Sequence, residues 1–368
     1  MKTLSNAAYR RAVALRDLTD PRHGTHAMQL LLQAMTTALQ TPWQTQVIEH
    51  RANPVVPIED NYDRLHYPPD GAARGARYTR YVSERLMLRT QTSAMIPELL
   101  CRVGPEPVDV LLVCPGLVYR RDAIDRLHTG EPHQVDLWRI RTGPPLTRTD
   151  LDQMVACVVE AALPGRTWRT PAAQHPYTVD GLEIEVMSAG GPIEIGECGL
   201  ALPALLAASG LDPSRTSGLA MGLGLDRLLM QRKGIDDIRQ LWSTDPRVVA
   251  QMSDLTPFTE VSHHPPAYRD LSLVVTTGLD QELLGDRVRD VLQTDAAAVE
   301  ALEVRSRTSY AALPEGARKR LGLNQEQENL LLRVVFRHPD RTLTSEQANI
   351  LRNRVYLALH EGPNSELA

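Results

Sequence analysis

The 368-residue chain contains little that would staple it covalently or anchor it to a membrane. Its four cysteines, Cys101, Cys114, Cys157 and Cys198, include no Cys-x-x-Cys pair. Neither a zinc site nor a disulfide framework is therefore indicated, and a reducing, cytoplasmic setting is expected. No apolar run approaches the ~20 residues needed to span a bilayer, and the polar, mixed-charge stretch from Met1 to Asp20 does not read as a targeting signal. No membrane partner is expected. Positive charge is not in excess, since 40 Lys and Arg face 45 Asp and Glu. A net charge of −5 gives no blanket electrostatic argument for binding a polyanion, so any contact with nucleic acid must come from local patches. Lysine itself occurs only at positions 2, 233 and 319.

What is present is material for a core: 42% of residues are hydrophobic and 23% charged, enough to fold as two domains. Met28, Leu31, Leu32, Met35 and Leu39 recur at helical spacing and predict a helix over 26–39 that Pro42 forbids from continuing. Residues 111–119 and 134–140 read as paired strands holding a polar loop between them. Residues 150–162 read as a helix behind a Thr149 cap. The period then changes. Asp180-Gly181 marks a tight turn, after which Leu182, Ile184 and Val186 alternate with Glu183 and Glu185, and 192–198 is the next antiparallel strand. Residues 203–209 form a short helix closed by Gly210, and 219–231 a longer apolar helix behind Ser217-Gly218. The prolines between Trp242 and His263-His264-Pro265-Pro266 mark a domain boundary. That histidine pair reads as a turn, because no third ligand is spaced to complete a metal site. Beyond it, the order strand, helix, strand, strand, helix predicts a ferredoxin-like sandwich, its last helix opening on the capping-box spacing Thr344-Ser345-Glu346-Gln347.

The most specific signals are two separated segments. One is Val118-Tyr119-Arg120-Arg121-Asp122-Ala123-Ile124-Asp125, running through His128 to His133-Gln134-Val135-Asp136. The other is Gly218-Leu219-Ala220-Met221-Gly222-Leu223-Gly224-Leu225-Asp226-Arg227. Leu88-Arg89-Thr90-Gln91-Thr92-Ser93 and Arg269-Asp270-Leu271-Ser272 accompany them. In these motifs the chain resembles the phenylalanyl-tRNA synthetases, class II enzymes, and most closely their single-chain mitochondrial type.

The resemblance implies an α+β fold. A class II antiparallel sheet flanked by helices would occupy residues 1–250, and a ferredoxin-like α/β sandwich of anticodon-binding type residues 258–368. It implies activation of an amino acid by ATP with Mg2+, then transfer to tRNA, by a monomer or homodimer. Such chemistry drives a carboxylate against a phosphate and needs fixed positive charge. By resemblance, Arg120 meets the α-phosphate and substrate carboxylate, and Arg227 the outer phosphates. Asp122, His128, Pro132, Gly222 and Gly224 would line the ATP, the glycines allowing close approach. Gln91, Ser93, Gln134 and Asp136 would hold the amino acid's backbone groups, and His175, Tyr177, Glu197, Cys198 and Ala220 would shape its side-chain pocket. No metal ligand set is assigned.

The chain departs from the family in one direction. His175-Pro176-Tyr177-Thr178 stands where the family has Phe-Pro-Phe-Thr, and Glu197 stands where it has glycine. Asp136 replaces a glutamate, Gln91 a histidine, and Pro132 the phenylalanine that stacks on adenine. A buried polar group left unpaired by a benzyl side chain costs about 1–3 kcal/mol, so the expected substrate is more polar than phenylalanine: hydroxylated, aminated or heteroaromatic. Three alternatives stand beside this: an adenylate passed to an acceptor other than tRNA, a non-catalytic tRNA- or amino-acid-binding regulator, and an ordinary phenylalanine enzyme with an altered pocket. Residues 258–368 hold 13 Arg and Lys against 16 Asp and Glu. That balance suits RNA only if Arg305, Arg307, Arg318, Lys319, Arg320, Arg333 and Arg337 share a face.

Overall fold

The computed structural model describes residues 3–75, 78–104, 106–188, 190–261 and 264–363, and within it the chain divides into two compact units. His263, of the histidine pair read as a turn, lies outside the described residues.

The first unit comprises Met1–Arg120, Glu131–Ile235 and Gln251–Phe258. Its strands are β1 (Gln46–Glu49), β2 (Val55–Pro57), β3 (Leu86–Leu88), β4 (Asp109–Leu117), β5 (His133–Thr142), β6 (Trp168–Arg169), β7 (Thr178–Ser188), β8 (Gly191–Ala201) and β9 (Thr216–Gly224). Its helices are α1 (Asn6–Val13), α2 (Ala27–Trp43), α3 (Ile96–Val103), α4 (Arg148–Ala162), α5 (Pro203–Ala208) and α6 (Leu225–Lys233). Seven strands form one sheet in the order β1-β4-β5-β9-β8-β7-β6. It is parallel only where β1 meets β4, and β2 pairs separately with β3. Helices α2, α4 and α6 pack against one another, with α4 and α6 also touching the sheet. Alternation along the strands turns Leu112, Trp138 and Ala220 to the other face, where they join Leu99 and Leu100 of α3 and Leu205 and Leu206 of α5 in one apolar cluster.

Several elements differ from expectation for physical reasons. Helix α2 runs through Pro42 to Trp43, because a proline in the last turn removes a single backbone bond and Gln44, at φ 49°, then closes the helix. The cap of α4 is Thr147, which forms a capping box with Asp150. Asp180-Gly181 is no hairpin turn. It is an irregularity inside β7, with Asp180 at φ 52° and a register shift between Val179 and Leu182. The region expected as one helix over 219–231 is strand β9 followed by α6. Leu219, Met221 and Leu223 alternate with the small Ala220, Gly222 and Gly224, a period-two pattern in size where both sets are apolar.

The second unit comprises Arg121–Gly130, Asp236–Ala250 and Thr259–Ala368. Its elements are α7 (Pro246–Gln251), β10 (Ala267–Thr276), α8 (Gln281–Leu292), β11 (Val299–Ser309), α9 (Glu315–Leu321), β12 (Gln327–Phe336) and α10 (Ser345–Leu359). The sheet order is β10-β12-β11, with β12 antiparallel to both neighbours, so β10, α8 and β11 form a split βαβ unit. Among the described residues this sheet has three strands, and α9 lies between β11 and β12 in sequence. Leu271, Leu273, Leu332, Val334 and Phe336 build its core with Leu284 and Val288 of α8 and Leu351 and Val355 of α10.

Residues 121–130 complete that core. Ile124 is buried in it and its carbonyl accepts from Leu302 N at 3.0 Å. The Arg289 guanidinium donates to the carbonyls of Asp122 and Ala123, and Arg121 pairs with Asp286 at 2.7 Å. Segment 236–250 is tied in likewise, through Arg239 to the carbonyls of Ala297 and Arg337 and through Ser243 to Asp340.

Candidate active site

The register of the large sheet aligns Cys114, Asp136, Gly222, Glu197 and Glu183 in one row across β4, β5, β9, β8 and β7. Asp136 is 2% exposed. Its Oδ2 accepts from Thr92 Oγ1 at 2.7 Å and Ser93 Oγ at 3.0 Å, and its Oδ1 from Trp138 Nε1 at 2.9 Å. Burial pushes this carboxyl up to about 6 against the pull of those three bonds, and the Glu197 charge adds to the rise. Among the described residues no cation pairs with it.

The chain around Thr92 and Ser93 is held from below. The Asn61 side chain receives Thr90 N at 3.0 Å and donates to Thr90 Oγ1 at 2.9 Å. Its carbonyl accepts from Gln91 Nε2 at 3.0 Å. Tyr67 OH donates to Gln91 Oε1 at 2.8 Å, and Gln134 Oε1 accepts from Thr92 N at 3.4 Å. Gln91, Ser93, Gln134 and Asp136 therefore converge as the sequence predicts.

Further along the row, Glu197 accepts from the Tyr177 hydroxyl at Oε1 and pairs with His175 Nε2 at 3.0 Å through Oε2. Burial would raise the Glu197 carboxyl, but the His175 bond and charge outweigh it and hold the group below its ordinary value. Burial alone would lower His175; its bond to Glu197 leaves it raised instead. The Tyr177 ring lies 6.0 Å from Trp138, 6.3 Å from His175 and 6.4 Å from Tyr67, centroid to centroid. Gly181 lets the His175 loop approach β7, since a Cβ there would stand 2.7 Å from the Ala173 carbonyl and 2.8 Å from His175 Nδ1. Ala220, paired with Trp138, faces the same side, in the cluster that holds Tyr177. Cys198 does not. The alternation that brings Glu197 to this face turns Cys198 to the opposite one, toward the field of Arg148 and Asp152 on α4, and burial pushes its thiol up to about 12.

Arg120 follows β4 and donates through Nε to the Thr90 carbonyl at 2.7 Å. Arg80 donates to the Arg120 carbonyl at 3.0 Å and pairs with Glu131, closing the base of the loop in the first unit. The Pro132 carbonyl accepts from Val118 N at 2.9 Å across the same base. Arg227 sits in the first turn of α6 and donates to the Glu194 carbonyl at 2.9 Å. The Glu194 carboxyl is raised by burial and drawn down by both Arg227 and Arg120, so one carboxylate lies in the field of both guanidinium groups. Gly224 caps α6, and Asp226 behind it receives His133 Nδ1 at 3.0 Å while His133 Nε2 accepts from Leu18 N at 3.1 Å. Gly222 stands between Asp136 and Glu197. Asp122 and His128 belong to the second unit, where the Asp122 carbonyl receives Arg289 and His128 Nδ1 lies 2.8 Å from Asp125.

Residues 20–252 match the family of class II tRNA synthetase core domains, type F. The chain belongs to that family. It is 39% identical over 191 residues to a phenylalanine–tRNA ligase alpha subunit of Prochlorococcus marinus, an alignment covering 52% of this chain and 56% of the relative. The chain thus spans little more than half the length of that relative. It is 29% identical over 328 residues to the chloroplastic/mitochondrial phenylalanine–tRNA ligase of Arabidopsis thaliana, covering 86% of this chain and 71% of that one. A solved pyrrolysyl-tRNA synthetase from Desulfitobacterium hafniense aligns over 62% of this chain and 77% of its own at 18% identity, with a TM-score of 0.46.

Membership accounts for the antiparallel sheet and its flanking helices. Sequence reasoning missed Trp138, Tyr67, Asn61 and Glu194. Trp138 was accessible to it, lying two residues beyond Asp136 and hence on the same face; Asn61 sits in a short helical turn, Tyr67 in a loop and Glu194 on a strand, with nothing local to mark them. Among the described residues no three His, Cys, Asp or Glu side chains gather as a metal cage. Magnesium needs none beside phosphates, where one or two carboxylates suffice, and Glu194 is a fitting donor of that kind. Among the same residues, no helix is long and apolar enough to cross a membrane.

Proposed function

We propose that this class II synthetase-family chain activates an amino acid more polar than phenylalanine with ATP and transfers it to tRNA. The reading is carried by the shared field of Arg120 and Arg227 on Glu194, together with Asp136, a buried carboxylate that pairs with no cation among the described residues. Asp136 would take the substrate ammonium, and Ser93 and Gln134 would set its orientation. A substrate carboxylate oxygen then attacks the α-phosphorus, its new O–P bond forming as the bond to pyrophosphate breaks. Arg120 and Arg227 offset the charge that gathers on the phosphate oxygens. Magnesium, carried on the phosphates, supplies further positive charge. In the second step a terminal ribose hydroxyl of tRNA attacks the acyl carbon and AMP leaves.

A second reading has its own support. Cations of the second unit expected to offer a shared basic face are spent locally: Arg305 on Glu303, Arg307 on Glu328, Lys319 on Glu315, Arg333 on Asp270 and Arg337 on Glu300. Arg318 lies over the Tyr310 ring. This favours an acceptor smaller and less charged than tRNA, such as an amine or thiol. ATP–pyrophosphate exchange across aromatic and polar amino acids, with Arg120→Ala as the blank, tests activation; exchange with phenylalanine alone rejects the polar preference. Acylation of total tRNA then separates the two acceptors.

A further inference from the structure

The side-chain end of the pocket carries more information than polarity. Both hydrogen-bond donors beside Glu197 are already committed to it, the Tyr177 hydroxyl on one oxygen and His175 Nε2 on the other. A carboxylate offers about four lone-pair sites, so two remain open. The accessible member of the group is the acceptor: the Glu197 side chain is 36% exposed, against 8% for His175 and 4% for Tyr177. Glu183 stands directly across the strand pair from Glu197, and His175 feels Glu183 and Glu194 as well as Glu197. One imidazole thus touches one carboxylate, that of Glu197, and lies in the field of two more. Asp136 Oδ2 and Glu197 Cγ each come within 3.9 Å of the point where a Cβ on Gly222 would stand, so a single small molecule can bridge the two acids over that glycine.

We infer that the amino acid taken here bears an amine on its side chain, the α-ammonium held by Asp136 and the side-chain N–H donors received by Glu197. This rests on the proposed amino-acid-activating role of the site. A benzyl group, or one ending in an acceptor only, offers no donor to the two open lone-pair sites of the Glu197 carboxylate while covering it from water, and that loss is penalised. An amine satisfies them and also relieves the excess negative charge along the row.

The test is pyrophosphate exchange with phenylalanine, 4-methylphenylalanine, 4-nitrophenylalanine, 4-aminophenylalanine and lysine, with melting curves of the full chain in the same amino acids. The expected result is that at least one amine-bearing substrate exceeds both phenylalanine and 4-methylphenylalanine tenfold or more in kcat/KM. Glu197→Gln, shown folded by circular dichroism, should reduce that ratio below threefold. Glu197→Asp, which keeps the acceptor, should retain part of it. Equal or better use of phenylalanine or of the methyl or nitro compound overturns the inference, as does a preference that survives Glu197→Gln. If no amino acid supports exchange, a melting shift specific to an amine-bearing amino acid and lost in Glu197→Gln upholds the pocket and rejects activation. Absence of both exchange and any such shift rejects the pocket as well.

Discussion

Asp136 burdens the fold at neutral pH. Its carboxyl titrates near 3.8 when unfolded and at about 6 in the folded chain, so folding favours the protonated form. The stabilisation is fully present below pH 3.8, is lost as pH rises through about 6, and amounts to about 3 kcal/mol. An ammonium ion bound at this carboxylate reverses the balance, which ties substrate binding to ionisation. The KM for the amino acid should rise as pH falls below about 6, by up to about tenfold per pH unit, with kcat changing less; exchange kinetics at saturating ATP measure both. Two glycines divide structure from binding. Gly222→Ala adds a methyl 3.9 Å from both Asp136 and Glu197, an ordinary contact, so the fold should survive while amino-acid KM rises tenfold or more. Gly196→Ala would place its Cβ 2.2 Å from the Gly222 carbonyl and should destabilise the chain by about 1–3 kcal/mol or more in a denaturant titration. That Asp136, Ser93 and Gln134 come together was legible in the sequence, because polar residues recur there inside known motifs. Cys198 was misplaced because adjacency in sequence is opposition across a strand.

At the scale of elements, the capping box of α10 was readable from its spacing, whereas the one on α4 lies two residues before the Thr149 cap expected. Thr344 and Gln347 close α10 reciprocally, as their spacing foretells. Thr344→Ala should cost about 1 kcal/mol, visible as a lower melting temperature, with no effect on exchange. The helix expected through 219–231 failed for a reason the residues contain: an all-apolar run hides its period from a polarity scan, and only side-chain size reveals that every second position is small. Gly218 enforces the same point, since a Cβ there would meet Ala201 Cβ and Ile140 Cδ1 at 2.9 Å, the closeness of neighbouring strands. The Asp180-Gly181 pair carries a turn's chemistry but serves the approach of a loop, a use that no dipeptide statistic distinguishes.

For the whole molecule, a boundary read from prolines marks one break in the chain, whereas the compact units are assembled from several stretches. The second unit draws on three stretches of chain, because a composition change marks where one stretch ends but not which earlier stretch returns to it. A fragment of residues 258–368 lacks Ile124, whose full burial is worth about 1.5–3 kcal/mol, and lacks the Arg239 ties to Ala297 and Arg337. It should melt at a lower temperature and less cooperatively than the same region in the full chain, and extending it back to residue 236 should recover part of the loss, both followed by circular dichroism. Translation meets the same arrangement from the other direction. The loop next to Arg120 leaves the ribosome long before Arg289, Leu302 and Asp286, the residues that grip it. A nascent chain can therefore assemble most of its large sheet while that loop is still ungripped, and the core of the second unit is finished only when synthesis is nearly done.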